Sequence, residues 1–369
     1  MVGREESHDH VALISLSWDT ALVSFSLSRM SQVTVESILP RKAFLAETVE
    51  RSTIGRLPLD HLSPDTEYAV IVKWQSGSRE FRFRTLPAPQ GPLLCSFAAV
   101  ADPHISLKSE NRKGRLFMES SAIFHNLVDE FNAAGLDFVL IAGDLTNMGT
   151  RQEYEAIAAI LDRLTCPCFA VPGDHDIVDD GTSHWTRIFG PTSWHKDYKG
   201  LRLFGLDTSE RVLGVDGRNL IESNWSDDNG VRIMVSHHQL FPDSYILRGP
   251  EKGIADFSEQ EELLKTLFRK PTLLYIGHQN IPARATMNNA LQINLPQPLQ
   301  FQCGYVLVQQ YQNGFYHTFK PIRSAVLSDY SRRAANMAAD DYGEPQWHET
   351  YRIGENMHTL NFLHSFKNE

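Results

Sequence analysis

The sequence predicts two architectures in series: an all-β sandwich, then a mixed-sheet α/β sandwich domain. Three observations predict it. Residues 11–85 alternate short strand-like runs with turn residues and show no helical period. The run Pro87-Ala88-Pro89-Gln90-Gly91-Pro92 then reads as a stiff linker. Beyond it, apolar runs of strand length alternate with stretches of helical spacing, which implies parallel strands joined by crossover helices. Residues 1–9 are accordingly expected as a flexible tail, 10–88 as the β-sandwich, 89–93 as linker, 94–320 as the α/β domain and 321–369 as a C-terminal extension.

In the first part, strands are expected at 11–18, 21–27, 67–74 and 80–84, with turns at Ser63-Pro64-Asp65 and Ser76-Gly77-Ser78. In the second, a strand at 94–101 precedes a helix over 115–134. That helix places Leu116, Ile123, Leu127 and Phe131 on one face and stops before Gly135. A strand at 138–142, a helix at 152–164 and a strand at 168–171 follow. Strands at 202–206, 231–236, 272–276 and 305–311 are less regularly separated by helices, which predicts mixed rather than purely parallel sheets. The extension reads as helical over 324–339 and irregular afterwards.

A chain of 369 residues can bury a core large enough to need neither disulfides nor a structural metal. The first ten residues are polar and of both charge signs, and no run of ~18 apolar residues occurs. Neither a secretory signal nor a membrane span is therefore expected, and a cytoplasmic location is. The chain has four cysteines, Cys95, Cys166, Cys168 and Cys303; Cys166 and Cys168 lack a second cysteine pair or ligand-spaced histidine, so that pair reads as buried thiols, and a reducing compartment is expected. The net charge of −10 argues against long nucleic acid as a partner. It leaves small anionic substrates open, because bound cations reverse the local field.

Ligands of open α/β sheets gather beyond the carboxyl ends of strands. There the sequence places Asp102-Pro103-His104, Gly143-Asp144, Pro172-Gly173-Asp174-His175-Asp176, His237-His238 and Gly277-His278-Gln279-Asn280. A single Gly-Asp is more often a turn and a single histidine more often a surface or core residue. Aspartate or histidine at successive strand ends of an acidic chain predicts a metal centre.

The order of these motifs resembles D-x-H, G-D, G-N-H-D, H and G-H-x-H, the signature of the calcineurin-like metallophosphoesterases, over about residues 94–310. The resemblance implies two metal ions and hydrolysis of a phosphoric ester by a metal-activated water. It assigns Asp102 and His104 to the first metal, Asp144 to both, and Asp174, His237 and His278 to the second. It makes His175 the residue that meets the phosphoryl group and protonates the leaving oxygen, with Asp176 fixing its imidazole. Strand phase favours His237 over His238 as the ligand. Two positions depart from the family: Asp174 stands where asparagine is usual, and Asn280 where G-H-x-H has its second histidine. An added carboxylate and a lost imidazole shift the expected metals, among Mn, Fe and Zn, toward harder ions such as Mn. Asn147 stands where purple acid phosphatases have tyrosine, which points instead to the phosphodiesterases that include the bacterial cyclic-nucleotide enzymes. A small phosphodiester is the first expectation, with a phosphomonoesterase or a non-catalytic scaffold as alternatives.

The stretch from Leu59 to Tyr68, which brackets Pro64, resembles the corner of fibronectin type III domains, with Trp18 as their early core tryptophan. His184, Trp194 and His195 either rim the site or are loop residues, and Arg284 either meets a phosphate or is solvated. Whether the extension covers a sheet or makes a homodimer contact stays open.

Overall fold

The computed structural model describes residues 9–40, 47–226, 228, 230–242, 253–342 and 359–366. All but Asp9 of the expected tail lies outside them, as does most of the chain beyond residue 342.

The N-terminal part is an antiparallel sheet of β1 (His10–Leu16), β2 (Ala21–Leu39), β3 (Glu47–Leu59), β4 (Glu67–Trp74) and β5 (Gly77–Arg84). The strand expected at 21–27 is only the first half of β2. Its register slips between Ser26 and Ser31, so β2 pairs with β1 before the slip and with β4 after it. Alternate residues on both halves, Val23, Phe25, Leu27, Val33 and Val35, enter one core with Leu57, Leu59, Tyr68, Val70 and Val72. The Tyr68 hydroxyl accepts the Ser63 N–H at 2.7 Å and closes the Pro64 turn. Trp18 corrects its expectation. Because β1 ends at Leu16, Trp18 sits half-buried in the following turn and packs edge-on against Tyr316 (5.2 Å) and Tyr311 (5.9 Å), outside this core.

The rest of the chain stacks two six-stranded sheets. One runs β17 (Phe362–His364), β16 (Gly314–Pro321), β15 (Gly304–Tyr311), β6 (Cys95–Val100), β7 (Phe138–Ala142), β8 (Cys168–Val171). The other runs β13 (Ala283–Met287), β14 (Ala290–Asn294), β12 (Thr272–Ile276), β11 (Arg232–Ser236), β10 (Leu201–Leu206), β9 (Trp194–Tyr198). Strands β6 to β8 are parallel, as are β10, β11, β12 and β14, while the flanking strands are antiparallel. These are the mixed sheets the sequence implies. Phe97, Phe138 and Leu140 of one sheet pack against Leu203, Val235, Leu273 and Ile293 of the other.

Helices cover both outer faces. Ile123, Leu127 and Phe131 of α1 (Ser120–Ala134) and Tyr154 and Ile157 of α2 (Arg151–Leu161) pack on the β6–β7 side, with Trp185 of α3 (Gly181–Phe189). Ile221 of α4 (Gly214–Asn224) and Leu264 of α5 (Phe257–Leu267) cover β10 to β12. Helix α1 starts later than expected: Arg112 and Arg115 exchange backbone bonds in a tight turn (3.2 and 2.8 Å), so the Arg115 carbonyl accepts from Arg112 and not from a following helical turn.

The extension holds α6 (Ala325–Tyr342) and, where irregular chain was expected, β17 on the edge of a sheet. Beside it, Asn361 Oδ1 accepts N–H groups from both Leu16 (3.1 Å) and Phe319 (2.9 Å), which ties β1 to β16. Arg56 of β3 donates to the Ile322 carbonyl at 2.6 Å. All four thiols are free: Cys95 and Cys303 are buried, whereas Cys166 and Cys168, the pair expected to be buried, are only half-buried. Among the described residues no helix is long and apolar enough to cross a membrane.

Candidate metal centre

The loops that leave β6, β7, β8, β11 and β12 meet at one point. Asp102, His104, Asp144, His278 and Asn280 all hold positive φ, between 38° and 62°. This left-handed region is uncommon outside glycine, and Asp, Asn and His are the residues that tolerate it best. Backbone bonds lock the loops together. The N–H groups of Asp102 and His104 donate to the carbonyls of Gly143 (3.1 Å) and Asp144 (2.8 Å), and that of Gly277 to His237 (3.1 Å). Asp102 Oδ2 accepts the His278 N–H at 3.1 Å.

Three sets of donor atoms result, each set within 4.8 Å of one another: Asp102, Asp144 and His237; His104, Asp144 and His175; and Asp174, His237, His238 and His278. Asp144 Oδ2 lies 3.5 Å from His104 Nε2 and 3.4 Å from His237 Nε2. Asp174 Oδ1 lies 3.0 Å from His237 Nε2 and 3.3 Å from His278 Nδ1. The Asp174 side chain is 40% exposed while those of Asp144 and His237 are 3% and 0%, so the site opens to solvent beside Asp174.

Tautomers are set by backbone carbonyls. The Nδ1 atoms of His237, His238 and His175 lie 2.9, 2.7 and 2.7 Å from the carbonyls of Ala142, Thr208 and Asn147. A carbonyl only accepts, so each ring is protonated at Nδ1 and can turn an Nε2 lone pair toward a cation. His104 is fully buried, and neither ring nitrogen has a hydrogen-bond partner among the described residues. A buried imidazole with two orphaned nitrogens fits a metal ligand.

The charges agree. Burial pushes the Asp102 carboxyl up to about 7, with Asp144 adding to it. Burial pushes Asp144 the same way, but His237 and His104 outweigh it and hold the carboxyl low. Asp174 is likewise held low by His237 and His278 against its burial. Burial disfavours charge on His237, yet Asp144 and Asp174 raise it well above the ordinary imidazole range. Without a cation, a proton on His237 balances the carboxylates, and metal binding would release it. A mixed carboxylate and imidazole set suits first-row divalent ions.

The structure therefore gathers Asp102, His104, Asp144, Asp174, His237 and His278 as the sequence suggests. Asn280 lies two residues beyond His278, and its Oδ1 accepts from Gln297 Nε2 at 2.6 Å. Asp176 is a correction. Its carboxylate accepts from the N–H groups of Leu145, Thr146 and Gly173 and from the Thr146 hydroxyl, so it braces the loops after β7 and β8, while the Asn147 carbonyl orients His175. Burial and the charge of Asp144 push Asp176 up to about 6 against those donors. The strand-phase argument about His238 also fails. Strand β11 ends at Ser236, and past it the N–H groups of His237 and His238 both donate to the Thr208 hydroxyl, at 3.2 and 2.9 Å. Both rings then reach Asp174, His238 Nε2 at 4.0 Å.

Sequence reasoning missed Thr208, although it lies just beyond β10, where the strand-end rule applies. Trp194 donates to the Ala170 carbonyl, His195 packs on Phe204, His184 on Tyr154, and Arg284 covers the Phe362 ring. None of these four contacts is to a member of the donor sets.

Gly173 is required by close approach: a Cβ there would lie 2.2 Å from Asp144 Oδ1 and 2.6 Å from the Asp144 N. Gly173→Ala is expected to displace that carboxylate and weaken metal affinity by about 10- to 100-fold, the range seen when ligand orientation is lost. Calorimetric titration with Mn²⁺ checks this, and unchanged affinity would contradict it.

A family model described as calcineurin-like phosphoesterase matches residues 95–282. A probable glycerophosphodiester phosphodiesterase of Arcobacter nitrofigilis is 25% identical over 152 residues, which cover 40% of this chain and 53% of that protein. A probable cyclic nucleotide phosphodiesterase of Coxiella burnetii is 31% identical over 87 residues, 22% of this chain and 32% of that one. The chain thus spans about half the length, or less, of these curated relatives. Among solved structures, a dimetal phosphatase from Danio rerio aligns with a TM-score of 0.47 at 12% identity, over 62% of this chain and 96% of that one.

Proposed function

Because the chain belongs to the calcineurin-like phosphoesterase family, we propose that it hydrolyses a small phosphodiester, a cyclic nucleotide or a similar ester, at a two-metal centre. The observation that carries this reading is the position of Asp144, whose Oδ2 lies 3.5 Å from His104 Nε2 and 3.4 Å from His237 Nε2. Asp102, His104 and Asp144, with the Asn280 oxygen, would hold the first ion. Asp144, Asp174, His237 and His278 would hold the second. Mn, Fe or Zn suits these donors, with harder ions such as Mn favoured where Asn280 replaces an imidazole. When bound, such a pair supplies Lewis-acid charge and a water of lowered pKa.

The chain's own groups do the rest. The Asn147 carbonyl holds His175 by Nδ1–H, which leaves Nε2 to carry a proton to the departing oxygen. Asp176 keeps the loops of Asp144 and His175 in register. The half-exposed Asp174 marks the side on which substrate enters. The diester preference rests on the phosphodiesterase names of the relatives. Residues 10–88 are read as a fibronectin III-like module, on the Tyr68–Ser63 bond and the split pairing of β2, with the catalytic domain over 94–320.

Purified full-length protein, loaded with Mn²⁺, Fe²⁺ or Zn²⁺, is expected to turn over bis(p-nitrophenyl) phosphate at least about tenfold faster than p-nitrophenyl phosphate, a barrier difference of ~1.4 kcal/mol. A monoester preference overturns the diester assignment. No turnover of either ester with any of these ions overturns the catalytic reading in favour of a scaffold.

A further inference from the structure

The ring of His238 has no role in the site described so far, yet its placement calls for one. It is buried, its Nδ1 is fixed on the Thr208 carbonyl, and its Nε2 has no hydrogen-bond partner among the described residues. A histidine kept only for packing would leave that buried nitrogen unpaired, which is destabilising. The turn after β11 sets the ring perpendicular to His237 with centroids 4.9 Å apart, and 4.2 Å from the ring of His278. Its Nε2 joins Asp174, His237 and His278 in one set of donor atoms, 4.0 Å from Asp174 Oδ1. Bonds of ~2.0–2.2 Å place two donors of one cation about 3–4 Å apart, and 3.0, 3.3 and 4.0 Å all fall within that span.

We propose that His238 is a ligand of the second metal position, which then carries three imidazoles, His237, His238 and His278. This rests on the two-metal reading above. It also gives Asn280 a context. The first position keeps a single imidazole, His104, beside the oxygens of Asp102, Asp144 and an Asn280 already engaged by Gln297. The centre is thereby split into a nitrogen-rich position that prefers Zn²⁺ and an oxygen-rich position that prefers Mn²⁺ or Mg²⁺.

The test is an imidazole count on metal-stripped full-length protein given one molar equivalent of Zn²⁺. X-ray absorption is expected to show about three imidazoles around the zinc in the wild type and about two in His238→Gln. Zinc affinity should fall at least about tenfold in the variant. The wild-type count needs no mutant, so a variant that fails to fold leaves the test intact. Two imidazoles or fewer in the wild type overturn the ligand assignment while leaving the phosphoesterase reading in place. Failure of the wild type to retain zinc at all overturns both.

Discussion

Asp144→Asn is expected to lower phosphodiester turnover by at least about a hundred- to a thousandfold, the cost of removing one preorganised charge that faces the reaction centre. It is also expected to reduce metal content from about two ions per chain toward one. The geometry concentrates both effects in this residue. Its Oδ2 stands between His104 Nε2 and His237 Nε2, one from each proposed metal position. Its Oδ1 accepts the N–H of His175 at 3.0 Å, so the same carboxylate also anchors the proposed acid. Asparagine keeps the shape and one oxygen but loses the charge, and its amide nitrogen cannot ligate. Because the side chain is 3% exposed, water cannot replace the missing charge. Elemental analysis with kcat/KM on bis(p-nitrophenyl) phosphate checks the prediction. A variant with full metal content and near-normal turnover would show that Asp144 bridges nothing.

How far the sequence went is visible in particular residues. Asp102, Asp144, Asp174, His237 and His278 were legible because the carboxyl end of a buried strand is recognisable: the apolar run stops and a polar residue follows. The strands at 138–142, 168–171 and 272–276 are found where they were expected for the same reason. What failed did so where the determinant is not a side chain near in sequence. The Asn147 carbonyl that orients His175 carries no side-chain signature, and the sequence offers the adjacent Asp176 instead. Strand alternation does not reach His238, because the strand ends at Ser236. The fibronectin resemblance implies a core position for Trp18, whereas its partners, Tyr311 and Tyr316, are almost three hundred residues away. Strand β17 is three residues long, and only its pairing with β16 defines it.

The second large effect concerns the leaving group and depends on which ester is measured. His175→Ala is expected to slow an alkyl phosphodiester by about 10²–10⁴-fold, the usual contribution of a positioned acid or base. With p-nitrophenyl esters the loss should be less than about tenfold, because p-nitrophenolate departs without a proton. The structural basis is the fixed ring. With Nδ1–H held by Asn147, a proton for the departing oxygen can come only from Nε2, and the ring stands against His104 at a centroid distance of 4.7 Å. Asp176→Asn separates this role from that of the brace. It disturbs bonds to Leu145, Thr146 and Gly173, so it should lower metal affinity and rate for both esters alike. Equal losses in His175→Ala on both leaving groups would mean that the imidazole binds the phosphoryl oxygens instead of delivering a proton. A large loss confined to the alkyl ester requires a proton at Nε2 in the transition state, supplied by a ring whose Nδ1–H the Asn147 carbonyl holds.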